Sequence, residues 1–152
     1  MNILARLFGK AGVPLYHLIE PRVSEVLGPW AVHFPAYAEV VGYSALGHFF
    51  LRNPSANEYA VLHPYKKAAK SYGSFASLAE FEQNLLKEPG FQSYVLEPEH
   101  VQEIARRVGS RRSEEIYIPQ PYPFLGGSCE PETYEKGNVW VFADIVAQMQ
   151  NL

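Results

Sequence analysis

With 152 residues, 47% of them hydrophobic and 19% charged, the chain has the size and balance of one globular domain rather than a disordered or fibrous one. Its net charge of −3 has the wrong sign for an affinity built on neutralising phosphates, so direct nucleic-acid binding is not expected. A single cysteine, Cys129, excludes an intramolecular disulfide and a cysteine-based zinc centre, and it fits a reducing, cytoplasmic compartment.

The stretch from Met1 to Pro14 carries Arg6 and Lys10 among a few apolar residues and has no continuous apolar segment of the length that export requires. From Leu15 to Leu27 the residues Leu15, Leu18, Ile19, Val23, Val26 and Leu27 recur at three- and four-residue spacing, which predicts a buried helix face kinked at Glu20 by Pro21 and stopped by Gly28-Pro29. Residues 1–36 are therefore expected as an N-terminal helical segment packed on a main unit of residues 37–152.

Between Tyr37 and Leu62 three runs rich in β-branched and aromatic residues predict three strands: Tyr37 to Ser44, His48 to Arg52 and Glu58 to Leu62. The intervening Asn53-Pro54-Ser55-Ala56-Asn57 is turn chemistry, so the second and third should pair as an antiparallel hairpin. Gly42 and Gly47 mark bends or close backbone approaches. Ser77-Leu78-Ala79-Glu80 is a capping box, and the helix it opens should run through Phe81, Leu85 and Leu86 to a stop at Pro89-Gly90. A further helix is expected from Pro98, with Val101, Ile104, Ala105 and Val108 on one stripe, Arg106 and Arg107 in the last turn and Gly109 as a left-handed cap.

Three prolines make Ile116 to Gly127 an extended aromatic loop, after which Asn138 to Phe142 reads as a buried strand and Ile145, Val146 and Met149 as a short terminal helix. No run approaches the roughly 20 apolar residues that span a bilayer, so no membrane partner is expected. Strands early, and helices without regular βαβ alternation, predict a single α+β domain: an antiparallel sheet with helices packed beside it.

Conspicuous chemistry is missing. His17, His33, His48, His63 and His100 show no spacing that sets two metal ligands on one face, although His48 and His63 flank the predicted hairpin and can approach each other. Cys129 follows a double glycine without the context of a catalytic nucleophile, and Gly126-Gly127 lacks the pattern of a phosphate-binding loop. The reading is a protein with no catalytic residues, no metal and no cofactor. A lone cysteine is ordinarily a small apolar filler, and the carboxylates Glu114, Glu115, Glu130, Glu132 and Glu135 are ordinarily solvated.

Four stretches carry a family resemblance: Gly42 to Leu51; the helix ending in Arg107-Val108-Gly109; Tyr117-Ile118-Pro119 through Leu125-Gly126-Gly127; and the terminal Asp144-Ile145-Val146-Ala147-Gln148. Together they resemble the Tdi-like immunity family, formerly a domain of unknown function, from about Tyr37 to the C-terminus. The chain departs from that pattern at Val108-Gly109, where the family has Leu-Gly, and in the proline-rich Pro119 to Phe124. The resemblance implies a bacterial cytoplasmic protein that binds and neutralises a cognate toxin or effector of a type VI secretion system, a DNase in the best-known cases, without catalysis of its own.

If such a partner is bound, the expected contact residues are Tyr122, Phe124, Glu130, Glu132 and Tyr134, since a proline-stiffened aromatic loop beside acidic residues loses little entropy on binding. The alternative places Tyr122 and Phe124 in the core, or makes the loop from Tyr117 to Phe124 the wall of a pocket in a small-ligand or regulatory domain. A hydrolase using Cys129 or a histidine is the third class.

Overall fold

The computed structural model describes residues 12–152. Met1 to Ala11, which carry the expected start without an export signal and the opening of the N-terminal segment, lie outside them. Among the described residues five strands form an antiparallel meander in chain order: β1 (Tyr16–Val23), β2 (Glu39–Ser44), β3 (Phe49–Asn53), β4 (Glu58–His63) and β5 (Ala68–Ser74). A separate antiparallel pair joins β6 (Glu115–Pro119) to β7 (Tyr134–Asn138). The helices are α1 (Pro29–His33), α2 (Leu78–Phe81), α3 (Pro89–Phe91), α4 (Pro98–Val108) and α5 (Val139–Met149), with α2 and α3 each running on into a π-helical turn, Glu82–Leu86 and Gln92–Leu96. The chain is the expected single α+β domain.

The central strands are apolar through their middles, with polar residues only toward their ends, because the sheet is covered on both faces. Val40, Tyr43, Phe49, Leu51, Ala60 and Leu62 face a core made with Trp30, Ile116, Phe142 and Val146. Val41, Phe50, Tyr59 and Val61 face the opposite core, made with Phe81, Leu86, Phe91 and Leu96. A third cluster, in which Ala45 and Leu46 meet Val101, Ile104, Tyr117 and Tyr134, fixes α4 and the β6–β7 pair to the β2–β3 turn. The expected β3–β4 hairpin is present, in the register Phe49↔Leu62 through Asn53↔Glu58.

Residues 16–23 are a strand, not the predicted helix. Pro21 lacks the amide that a helix interior needs, but on an outer strand of the sheet it is tolerated, and the β1–β2 register breaks between Leu18 and Arg22 around it. The helical part of that segment shrinks to a 3₁₀ turn at Ser24–Leu27 and to α1. The second correction concerns Val139 to Phe142, which belong to α5 rather than to a strand. Asn138 ends β7 and caps α5, its Oδ1 accepting from the amides of Trp140 at 2.9 Å and Val141 at 3.0 Å.

The capping box forms: Ser77 Oγ accepts from the Glu80 amide at 3.1 Å, and the Glu80 carboxylate accepts from the Ala76 amide. Pro89-Gly90 opens α3 instead of only closing α2, because the Glu88 carboxylate accepts from the amides of Gly90 and Phe91 at 2.9 and 2.7 Å. Gly109 ends α4 with φ 92°, but its ψ of 177° is extended rather than left-handed helical. Gly42 and Gly47 are close approaches as expected, since a Cβ would lie 2.5 Å from the His17 carbonyl oxygen and 2.8 Å from the Phe142 ring, respectively.

Candidate functional site

The five residues expected to form a contact loop are not one surface. Tyr122 and Phe124 stack on each other, centroids 5.4 Å apart, and pack half-buried on Tyr65. Both pack against the main core, which is the core alternative of the sequence reading. Tyr134 is 8% exposed, and its hydroxyl pairs with His100 Nε2 at 3.1 Å. Glu130 and Glu132 alone stand exposed.

Next to Tyr65 and Pro123 is a cavity of about 240 Å³. It lies where the β3–β4 hairpin, the turn Pro64–Lys66, the end of the π-helical turn at Glu97, the start of α4 and the loop after β6 converge. The register that pairs Phe49 with Leu62 sets His48 opposite His63, and the two rings meet edge to face at 4.9 Å. His100, Tyr65, Tyr134 and Cys129 also face the space; Lys66 and Glu97 are its charged residues, and Tyr94, 87% exposed, also lines it. Two lining residues, Glu97 at φ 50° and Cys129 at φ 60°, are held in the left-handed region that side chains other than glycine rarely occupy.

The hydrogen bonds assign the His48 tautomer. Ser44 Oγ accepts from the amides of Leu46 at 3.2 Å and His48 at 3.0 Å, which occupies both lone pairs. Its own proton is then left for His48 Nδ1, 2.7 Å away, so Nδ1 accepts and the proton of the neutral ring sits on Nε2. Burial, with His63 and Lys66 nearby, pushes His48 down to about 3, and burial with Lys66 and Lys70 also lowers His63. His48 is thus a neutral N–H donor at neutral pH. The Tyr65 hydroxyl is buried with no hydrogen-bond partner, and burial raises its pKa far above the usual phenol value. Tyr134 is raised by burial and by the neighbouring Cys129. Among the described residues no group of three or more His, Cys, Asp or Glu is placed to hold a metal ion.

A second feature lies on the outside of α5. Val139, Phe142, Ala143, Val146 and Ala147 point inward, while Val141, Ile145 and Met149 are exposed at four-residue spacing, an apolar row about 12 Å long at 1.5 Å per residue. Beside it runs a polar row, Asp144 and Gln148, joined by a 2.9 Å hydrogen bond from Gln148 Nε2 to Asp144 Oδ2. No Lys or Arg occurs in the helix. The Trp30 indole donates to the Ala143 carbonyl at 2.9 Å and holds α1 against α5; Val32 of α1 is 83% exposed. Sequence reasoning missed this face because it took the first half of α5 for a strand. Among the described residues no helix is long and apolar enough to cross a membrane.

These features define an α+β domain with a histidine-lined cavity and an apolar outer helix. No family model matches the chain, and no curated protein does. Among solved structures it is similar to the crystal structure of Atu4351 from Agrobacterium tumefaciens, with a TM-score of 0.60 and 17% identity over 94% of this chain and 73% of that one. Likeness at that identity shows a shared fold.

Proposed function

We propose that this chain is a bacterial cytoplasmic immunity protein, which neutralises a cognate toxin or secretion effector by covering it, with a basic nuclease as the favoured partner. The observation that carries the reading is the exposed row Val141, Ile145 and Met149. A terminal helix packed on the core needs one apolar face, and α5 has a second one turned to solvent, where apolar surface is unfavourable unless a partner covers it. Asp144 beside the row and the absence of Lys and Arg from the helix suit a cationic partner, as does the net charge of −3. The resemblance to the Tdi-like family supports the same partner class. Exposed Glu130 and Glu132 are acidic residues that such a partner can also engage.

Co-purification of the tagged chain with the product of each neighbouring gene tests the reading, together with rescue of cells from any toxic product. A one-to-one complex is expected, and Ile145→Asp should weaken it by about thirtyfold or more, the loss typical of an interface hot spot. Absence of any complex with well-expressed neighbours, or full rescue by the Ile145→Asp protein, refutes the proposal.

A further inference from the structure

We propose that the cavity between the β3–β4 hairpin and the start of α4 binds a small uncharged aromatic molecule, whose carbonyl oxygen or ring nitrogen accepts a hydrogen bond from His48 Nε2–H. At about 30 Å³ per water the space of about 240 Å³ corresponds to about eight waters, room for a molecule of one or two rings.

The donor is fixed before any ligand arrives. The amides of Leu46 and His48 hold Ser44 Oγ, and Ser44 Oγ holds His48 Nδ1, so the imidazole cannot flip and its Nε2–H keeps one direction. Nε2 has no hydrogen-bond partner among the described residues, yet it is not closed off from solvent as the Tyr65 hydroxyl and the Trp140 indole nitrogen are. His48 is only partly buried and lines the cavity, so a molecule inside can reach that proton. A donor so placed is left to water or to a ligand.

The wall sets the ligand class. Six lining residues carry rings, His48, His63, Tyr65, Tyr94, His100 and Tyr134, and these offer a flat ligand edge-to-face and offset partners. The lining carries no net charge: burial holds His48 and His63 neutral at neutral pH, and Lys66 and Glu97 are of opposite sign and both exposed. A carboxylate or an ammonium group would give up hydration there with no buried ion to pair with, whereas an uncharged acceptor exchanges one hydrogen bond for another. A metal ion is disfavoured by the tautomer, since the nitrogen that His48 has free already carries its proton. The left-handed Glu97 and Cys129 fit the same reading, because strained backbone gathers at ligand sites. The proposal does not depend on toxin capture.

The test is titration of the full chain with benzamide, benzoate and benzylamine, followed by calorimetry and by proton–nitrogen NMR of the histidine rings. Benzamide should bind saturably at one site with a dissociation constant of about 1 mM or below, and the two ions at least about tenfold more weakly. Benzamide should also move the His48 Nε2–H resonance to lower field in step with the binding curve, and leave those of His17 and His33 unmoved. His48→Phe keeps a ring and removes the proton, so it should weaken benzamide about fivefold, the worth of a neutral hydrogen bond; if that variant does not fold, the His48 resonance of the parent decides alone. No saturable benzamide binding, tighter binding of either ion, or binding that leaves the His48 Nε2–H resonance in place overturns the proposal, and the last result would assign that proton to water.

Discussion

Acid should weaken this fold through His48. Its pKa is pushed from the ordinary 6.5 to about 3, chiefly by burial. The unfolded chain therefore binds a proton near pH 6.5 that the folded chain refuses, and the stability is fully present above pH 6.5 and is lost as pH falls toward 3. At 1.36 kcal/mol per unit the whole effect is about 5 kcal/mol, and between pH 7.5 and 5 the loss is about 2 kcal/mol. Urea unfolding at these two pH values measures it. His17 and His63 are also lowered, so the parent loses somewhat more in total. His48→Gln keeps an acceptor for the Ser44 hydroxyl and cannot titrate, so the parent's pH-dependent loss should exceed the variant's by about 2 kcal/mol, whatever the variant's stability at neutral pH. Equal losses in the two proteins would refute the argument, since His48 would then be free to take a proton in the folded state.

Substitutions at three further positions test the close approach, the helix cap and the exposed row. Gly47→Ala places a Cβ 2.8 Å from the Phe142 ring at a residue whose φ is 93°, so it combines strain with overpacking and should cost about 2–4 kcal/mol in urea unfolding. Asn138→Ala removes the cap of α5 and should cost about 1 kcal/mol, while Asn138→Asp should restore most of it in thermal melts. Ile145 is 41% exposed, so Ile145→Asp gives up its covered part and should cost about 1 kcal/mol in urea unfolding, too little to unfold the domain, which separates a loss of partner binding from a loss of fold.

The parts of the fold that were legible are those where local chemistry and burial agree. β2, β3 and β4 are covered on both faces, so they appear as unbroken runs of Val, Tyr, Phe and Leu, and the turn between Asn53 and Asn57 sets their pairing. Ser77 and Glu80 mark their helix by side-chain hydrogen bonds that the sequence spells out. β1 was illegible because its apolar residues match a helical spacing as well as a strand, and only pairing with β2 decides between them. β5 gave no signal, being an outer strand in which Tyr72 stands alone among Ala, Ser, Lys and Gly and most side chains are exposed. In α5 a short run of Val, Trp and Phe looks like a strand until Asn138 is recognised as a cap and the inward positions 139, 142, 143, 146 and 147 are counted together.

The cavity was legible only as one pair. His48 and His63 could be matched because a hairpin register is local, whereas Tyr65, Glu97, His100, Cys129 and Tyr134 come from separate stretches that meet only in the folded chain. What the sequence offered instead, the aromatic loop Tyr122 to Phe124, is a support: its rings pack at a tilt against Tyr65 and hold that residue in place. A phenylalanine at position 65 would make the same ring contacts without burying an unpartnered hydroxyl. Packing alone therefore does not account for the tyrosine. Tyr65→Phe should therefore leave the protein as stable as the parent or more stable by up to about 1–3 kcal/mol in urea unfolding, and a loss of stability would show that the hydroxyl has a partner after all.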